Sequence, residues 1–187
     1  MDVMQSRIEM NDSKARYGAV SRGLHWAMAL AFAWIYCSTA AHYLLEDSAL
    51  DKFLWPTHKQ VGLLLMGLLL VRLIWSLLNR HRRPPSLNLA ARLGHGLLYA
   101  GMFAIPFLGL LRQYGSGRAF SAFGLPVMSG FEGPKIQWMT DLGNSFHSLL
   151  GWTLLVLIAG HVAAVILHCV KGQGHILRRM AGRTTSA

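Results

Sequence analysis

HSLLGWTLLVLIAGH, residues 147–161, places an imidazole at each end of an apolar run. Burying a polar ring without a partner costs free energy, so a helix that does so twice implies that something engages the rings. The run continues as Leu149–Val170, close to the roughly 20 residues that a helix needs to cross hydrocarbon. Leu24–Leu45, Val61–Leu78 and Leu97–Leu111 repeat the pattern within a chain of 187 residues, and the shortest of them is expected to begin nearer Leu93. Apolar blocks of this length, separated by polar links, predict an all-α integral membrane four-helix bundle. The helices are expected over roughly 22–45, 57–79, 91–112 and 144–171.

The charges orient this bundle, because Lys and Arg accumulate on the side from which a helix is not translocated. Arg7, Lys14, Arg16 and Arg22 precede the first span. Arg80, Arg82, Arg83 and Arg92 follow the second, and Lys171, Arg178, Arg179 and Arg183 follow the fourth. With four crossings all three groups share one side, while Glu46, Asp47, Asp51, Glu132 and Asp141 fall opposite. Both termini are therefore expected in the cytoplasm, with a long periplasmic loop between the third and fourth helices. The net charge of +10 flanks apolar spans and builds no separate basic domain, so anionic lipid is the expected partner and nucleic acid is not.

No repeat or second domain is visible, so residues 1–187 read as one membrane domain with residues 1–20 as a cytoplasmic extension. That extension has no apolar core or small-residue cleavage site and does not read as a signal peptide. NRHRRPPSLN at 79–88 must be extended around its paired prolines. In the long loop, AFSAFGLP at 119–126 and IQWM at 136–139 are expected as short helices along the membrane surface. Cys37 and Cys169 belong to opposite halves of the bundle and are expected to be free. The lack of CxxCH excludes covalent c-type haem attachment at the level of motif.

Nine histidines are many for such a chain, and ionisable residues within spans are functional hypotheses by default. At 100° per residue, the interval from His147 to His161 returns the ring to within about 40° and about 21 Å further along the axis. His168 follows within about 20° of His161 and about 10.5 Å deeper. Neutral imidazoles ligate haem iron, and a bis-histidine site leaves no open position, which suits electron transfer. His58 and His147 both open helices on the periplasmic side, and each is followed four residues later by a glycine that leaves room for a flat porphyrin. On the cytoplasmic side His161 can pair with His25 or His95. Ala29 one turn after His25 favours the first over His95 with its Tyr99, and depth alone would pair His25 with His168 nearly as well. Zinc binding or proton carriage would also use intramembrane histidines, but zinc lacks Cys or carboxylate co-ligands at matching depth. His42 reads as an interfacial residue, and His81 and His175 as solvated ones.

SRGLHW at 21–26, WPTHKQVGLLLMGLLLVRLIW at 55–75, LGHGLLYAGMFAIPFLGLL at 93–111, AFGLP at 122–126 and the 147–161 stretch resemble the bacterial cytochrome b561 family. That family is similar to the b-type cytochrome subunits of nickel hydrogenases and formate dehydrogenases. The resemblance runs from about Arg16 to Gly182. It implies a multi-pass protein of the bacterial inner membrane with two haem b groups, His25 and His161 holding the cytoplasmic-side haem and His58 and His147 the periplasmic-side one. It also implies a cytoplasmic quinone site at His168 with His95 nearby. One family member oxidises superoxide and reduces ubiquinone, using a lysine before the third span. The aligned region here reads RRPPSLNLA, so Arg82 or Arg83 would have to substitute for it.

The expected function is transfer of electrons between a periplasmic donor and the quinone pool, most specifically superoxide oxidation coupled to ubiquinone reduction. Lys59, Arg112, Arg118 and Lys135 would supply a positive field for an anionic donor, though they read equally as ordinary loop charges. The rival reading is an anchor subunit that passes electrons between a partner dehydrogenase or hydrogenase and quinone, docking on the AFSAFGLP surface. A metal-ion or proton channel would carry no haem.

Overall fold

The computed structural model describes residues 9–181. Its elements in chain order are α1 (Ala19–Leu44), α2 (Ala49–Leu54), a single 3-10 turn at Trp55–Thr57, α3 (His58–Leu78) and α4 (Leu89–Gly115). A hairpin of β1 (Phe120–Ala122) and β2 (Leu125–Met128), α5 (Gln137–Val170) and α6 (His175–Ala181) complete it. Four helical stretches are long and apolar enough to cross a membrane: α1, α2 with α3, α4 and α5. Backbone groups have no water to bond in hydrocarbon, so helices that satisfy them internally form there. The bulky side chains stay outward, Leu44 at 78% and Val170 at 80% exposure, as lipid-facing surfaces do.

The long loop corrects two of the expected elements. AFSAFGLP forms the antiparallel hairpin rather than a surface helix, with Ala122 opposite Leu125 and a two-residue turn at Phe123 and Gly124. Both turn residues have positive φ, 53° and 80°, the combination that matches the right-handed twist of the flanking strands. IQWM makes no separate helix either. Ile136 caps α5, which begins at Gln137, well before Asn144.

α4 packs closely on both α3 and α5, and α1 packs on α3. Glycines set the α4–α5 approach. A Cβ on Gly101 would lie 3.2 Å from Leu154, and one on Gly143 would collide with the Arg112 side chain. Small residues at helix interfaces permit such close crossings in a membrane, where packing rather than water exclusion drives association. The dry core is small: Met28, Leu65 and fully buried Leu69, against Phe32, Tyr99 and Met102. By contrast, α5 stands off α1 and α3 and reaches them through side chains, with Tyr36 donating to the Gly151 carbonyl at 3.0 Å and Tyr43 packing on Trp152.

The end of the bundle carrying Arg22, Arg80, Arg92 and Arg178 is the basic end, and the other is the hairpin end. At the basic end, the Tyr17 amide donates to Arg179, and the Trp26 indole to Met180. Residues 9–18 are strapped there by an ion pair of buried Asp12 with half-buried Arg83 at 3.2 Å, while Arg83 also bonds Ser76 and lies over the Tyr17 ring. Arg7 and Arg183, assigned to the same side by the sequence, lie outside the described residues.

Candidate functional site

A cavity of about 940 Å³ fills the space between α5 and the α1–α3 pair toward the hairpin end. His58 projects into it from the first turn of α3 and His147 from α5, their ring centres 6.3 Å apart and their planes at 69°. Gly62 and Gly151, one turn beyond each histidine, also line it. A Cβ on either glycine would meet nothing within 4 Å.

The tautomers follow from the hydrogen bonds. The His147 Nδ1 lies 2.9 Å from the Ile105 carbonyl, which can only accept, so Nδ1 carries the proton and Nε2 keeps its lone pair. Gly109 permits this contact, since a Cβ there would sit 3.0 Å from the His147 Cε1. The His58 Nδ1 lies 3.0 Å from Oγ of Ser38, which is fully buried and donates to the Ile35 carbonyl at 2.7 Å. With its proton committed, Ser38 accepts from His58 and leaves that Nε2 bare as well. Ligating histidines are oriented this way through their second nitrogen.

These features fit a haem. An imidazole nitrogen lies about 2.0–2.1 Å from a transition metal and its ring centre about 1.1 Å behind, so two rings on opposite sides of one metal would stand about 6.3 Å apart. That is the separation of His58 and His147. The glycine gaps would take a flat macrocycle, and the volume lies at the upper end of the 300–1,000 Å³ typical of ligand pockets.

The second group gathers toward the basic end. His25 on α1 has His161, His95 and Arg72 within electrostatic reach. His95 and His161 have ring centres 5.4 Å apart at 72°, closer than two ligands on opposite faces of one haem iron would stand. His95 is exposed and bonds the Ala91 carbonyl of its own helix at 2.6 Å, whereas His25 and His161 are half-buried. His168 lies one level further on and bonds the Gln173 Oε1 at 2.5 Å. Of the two arginines expected near that site, Arg83 bonds Asp12 and Ser76 and Arg82 is exposed.

All four cations expected to draw an anion, Lys59, Arg112, Arg118 and Lys135, line the cavity of His58 and His147. Lys59 donates to Gln113 at 2.9 Å, and Gln113 donates to the Arg118 carbonyl, tying the mouth to the hairpin loop. His42 is more than an interfacial residue. It stacks on Trp55 at 3.8 Å and 4°, and bonds the buried Asp51 at 3.1 Å.

Ser38, the Ile105 carbonyl, Gln173 and Arg72 escaped the sequence reading. Arg72 and Ser38 carried a signal, a polar residue within an apolar span. The Ile105 carbonyl carried none.

The family model for the prokaryotic cytochrome b561 matches residues 16–183. The cytochrome b561 homolog 2 of Escherichia coli (strain K12) is 27% identical, over 96% of this chain and 98% of its own length. The cytochrome b561 homolog 1 of the same organism is 28% identical, over 90% and 98%. A probable superoxide oxidase CybB of Yersinia pestis is 24% identical, over 88% and 95%.

Proposed function

The chain belongs to the prokaryotic cytochrome b561 family, a multi-pass electron-transfer protein of the bacterial inner membrane that binds b-type haem, and on that premise we propose that it carries two haems and links a periplasmic donor to quinone. His58 and His147 hold one haem and His25 and His161 the other. Bound haem supplies the one-electron redox chemistry, which the protein tunes through the ligands and their surroundings. The observation that carries the reading is that His58 and His147, each with Nδ1 engaged by a hydrogen bond, line one glycine-bordered cavity with their ring centres 6.3 Å apart.

In this reading the hairpin end faces the periplasm and the basic end the cytoplasm, as the charge distribution requires. The donor is superoxide, and two superoxides, one ubiquinone and two protons give two dioxygens and one quinol. Lys59, Arg112, Arg118 and Lys135 raise the local concentration of the anion at the cavity mouth. His168, held by Gln173, stands at the basic end where a quinone oxygen takes a proton, with His95 beside the approach. The similarity to a probable superoxide oxidase supports this donor.

The test is rapid mixing of the oxidised, purified protein with superoxide while the haem bands are followed with and without ubiquinone. Two haems per chain, reduced quickly and reoxidised by quinone, are expected. Haems indifferent to superoxide would sink the donor assignment and leave an electron-transfer subunit for a partner enzyme.

A further inference from the structure

Arg72 is a guanidinium in the apolar body of α3, and the electron-transfer reading leaves it without a role. Its place follows from register. α3 and α5 run in the same direction, and His58 at the start of α3 lies beside His147 of α5, ring centres 6.3 Å apart. Fourteen residues on from each lie Arg72 and His161, in both cases about 21 Å deeper and turned by about 40°. Arg72 therefore sits opposite His161 as His58 sits opposite His147, and its charge reaches both His161 and His25.

No acidic side chain meets it among the described residues. Glu46, Asp47, Asp51, Glu132 and Asp141 lie toward the hairpin end, while Glu9 and Asp12 pair with Arg16 and Arg83. Arg72 makes one hydrogen bond, from Nε to the Tyr99 hydroxyl at 3.0 Å, with the guanidinium 6.0 Å from that ring. Tyr99 thus holds one edge of the fork and leaves the other for a partner. A charge within a membrane span needs a counter-charge, and a guanidinium fork matches a carboxylate in two-pronged fashion. A b-type haem carries two carboxylates on its rim.

We propose that Arg72, steadied by Tyr99, binds a carboxylate of the haem held between His25 and His161 and so positions that porphyrin in the gap between α1 and α5. The inference rests on the two-haem reading above. Arg72 is a positioning residue: it fixes the rim of the macrocycle, and its charge favours the reduced state of that iron.

The test uses holoprotein from cells fed 5-aminolevulinate carrying 13C at its carboxyl carbon, so that the haem carboxylates report in reduced-minus-oxidised infrared spectra. Arg72→Gln is expected to move the label-sensitive bands and lower the reduction equilibrium constant of one haem about tenfold, or about 59 mV for one electron, leaving the other unchanged. Arg72→Lys keeps the charge but not the fork, so the bands move while the equilibrium constant stays within about threefold. Tyr99→Phe moves the bands less. If Arg72→Gln sheds the haem, Arg72→Lys and Tyr99→Phe decide. Label-sensitive bands unchanged in a variant that keeps both haems would overturn the inference while leaving the two-haem reading intact. A wild-type chain with one haem would overturn both.

Discussion

The His58 Nδ1 lies 3.0 Å from the Ser38 hydroxyl, a contact between two spans that sets which nitrogen of the imidazole faces the cavity. Because Ser38 spends its proton on the Ile35 carbonyl, it accepts from His58 Nδ1 and leaves Nε2 with its lone pair. Loss of such an outer partner typically costs 10–100-fold in metal affinity. Ser38→Ala is expected to release haem about 10–100-fold more readily to a scavenger protein, with one haem per chain affected and the other retained.

The ligand assignment predicts a pattern of haem counts. His58→Ala and His147→Ala each lose the same haem, and His25→Ala and His161→Ala each lose the other. His95→Ala keeps both, because its exposed ring stands too close to His161 for the two to hold opposite faces of one haem. Pyridine haemochrome assays on purified variants check this. Loss of a haem from His95→Ala with retention in His25→Ala would reverse the assignment on α1 and α4.

Gly151 and Gly109 are predicted to fail in opposite ways. Space is open at the Gly151 Cβ, so Gly151→Leu starts its side chain in free space and fills the face that a porphyrin would use. Removing a helix-interior glycine adds roughly 0.8 kcal/mol of helix propensity, so the helix strengthens while one haem is lost. Gly109→Ala instead drives a methyl against His147 and strains its bond to Ile105. Overpacking of this kind costs about 1–3 kcal/mol. Thermal unfolding and haem content, measured together, separate the two outcomes.

Asp12 has no exposed side-chain surface, accepts from the Gly18 amide at 2.9 Å and faces the half-buried Arg83, so removing it deletes both contacts. A hydrogen bond to a charged group contributes about 1.5–3 kcal/mol, which corresponds to about 10–100-fold more frequent opening. Asp12→Ala is expected to speed amide exchange across residues 9–18 by that factor, with the α3 and α5 amides unchanged. Exchange that stays slow in the strap would show that backbone bonds such as Ala19 to Glu9 hold it alone.

The four cations around the cavity predict salt-sensitive reduction by superoxide. Raising ionic strength from 0.01 M to 0.15 M shortens the screening length from about 30 Å to about 8 Å, so the rate constant should fall. Arg118→Glu should lower it about tenfold at low salt and flatten its salt dependence. A rate equal to wild type at low salt would remove the steering role. Reduction by an uncharged chemical reductant serves as the control.

Length, apolarity and the placement of arginines suffice to read four helices from this chain, because the bilayer imposes a fixed span on any helix crossing it. The His147 to His161 interval was equally legible, since helical periodicity converts sequence separation into depth and direction. The loop was not. Phe123 in a left-handed conformation makes a hairpin of a stretch whose apolar residues suggested a helix, and α5 absorbs the IQWM segment. Local composition does not say where a helix will be extended by packing against its neighbour.

Sequence alone thus determined the membrane class, the number of spans and the separation of histidines along one helix, all properties of single helices in a solvent of known thickness. Only the tertiary structure decided which rings meet, that Ser38 and the Ile105 carbonyl set the His58 and His147 tautomers, that Asp12 claims Arg83, and that Arg72 shares a level with His161. Each of these depends on the rotation and spacing of separate helices. They are set by glycine contacts such as Gly109 on His147 and by long-range hydrogen bonds, neither of which leaves a period in the chain.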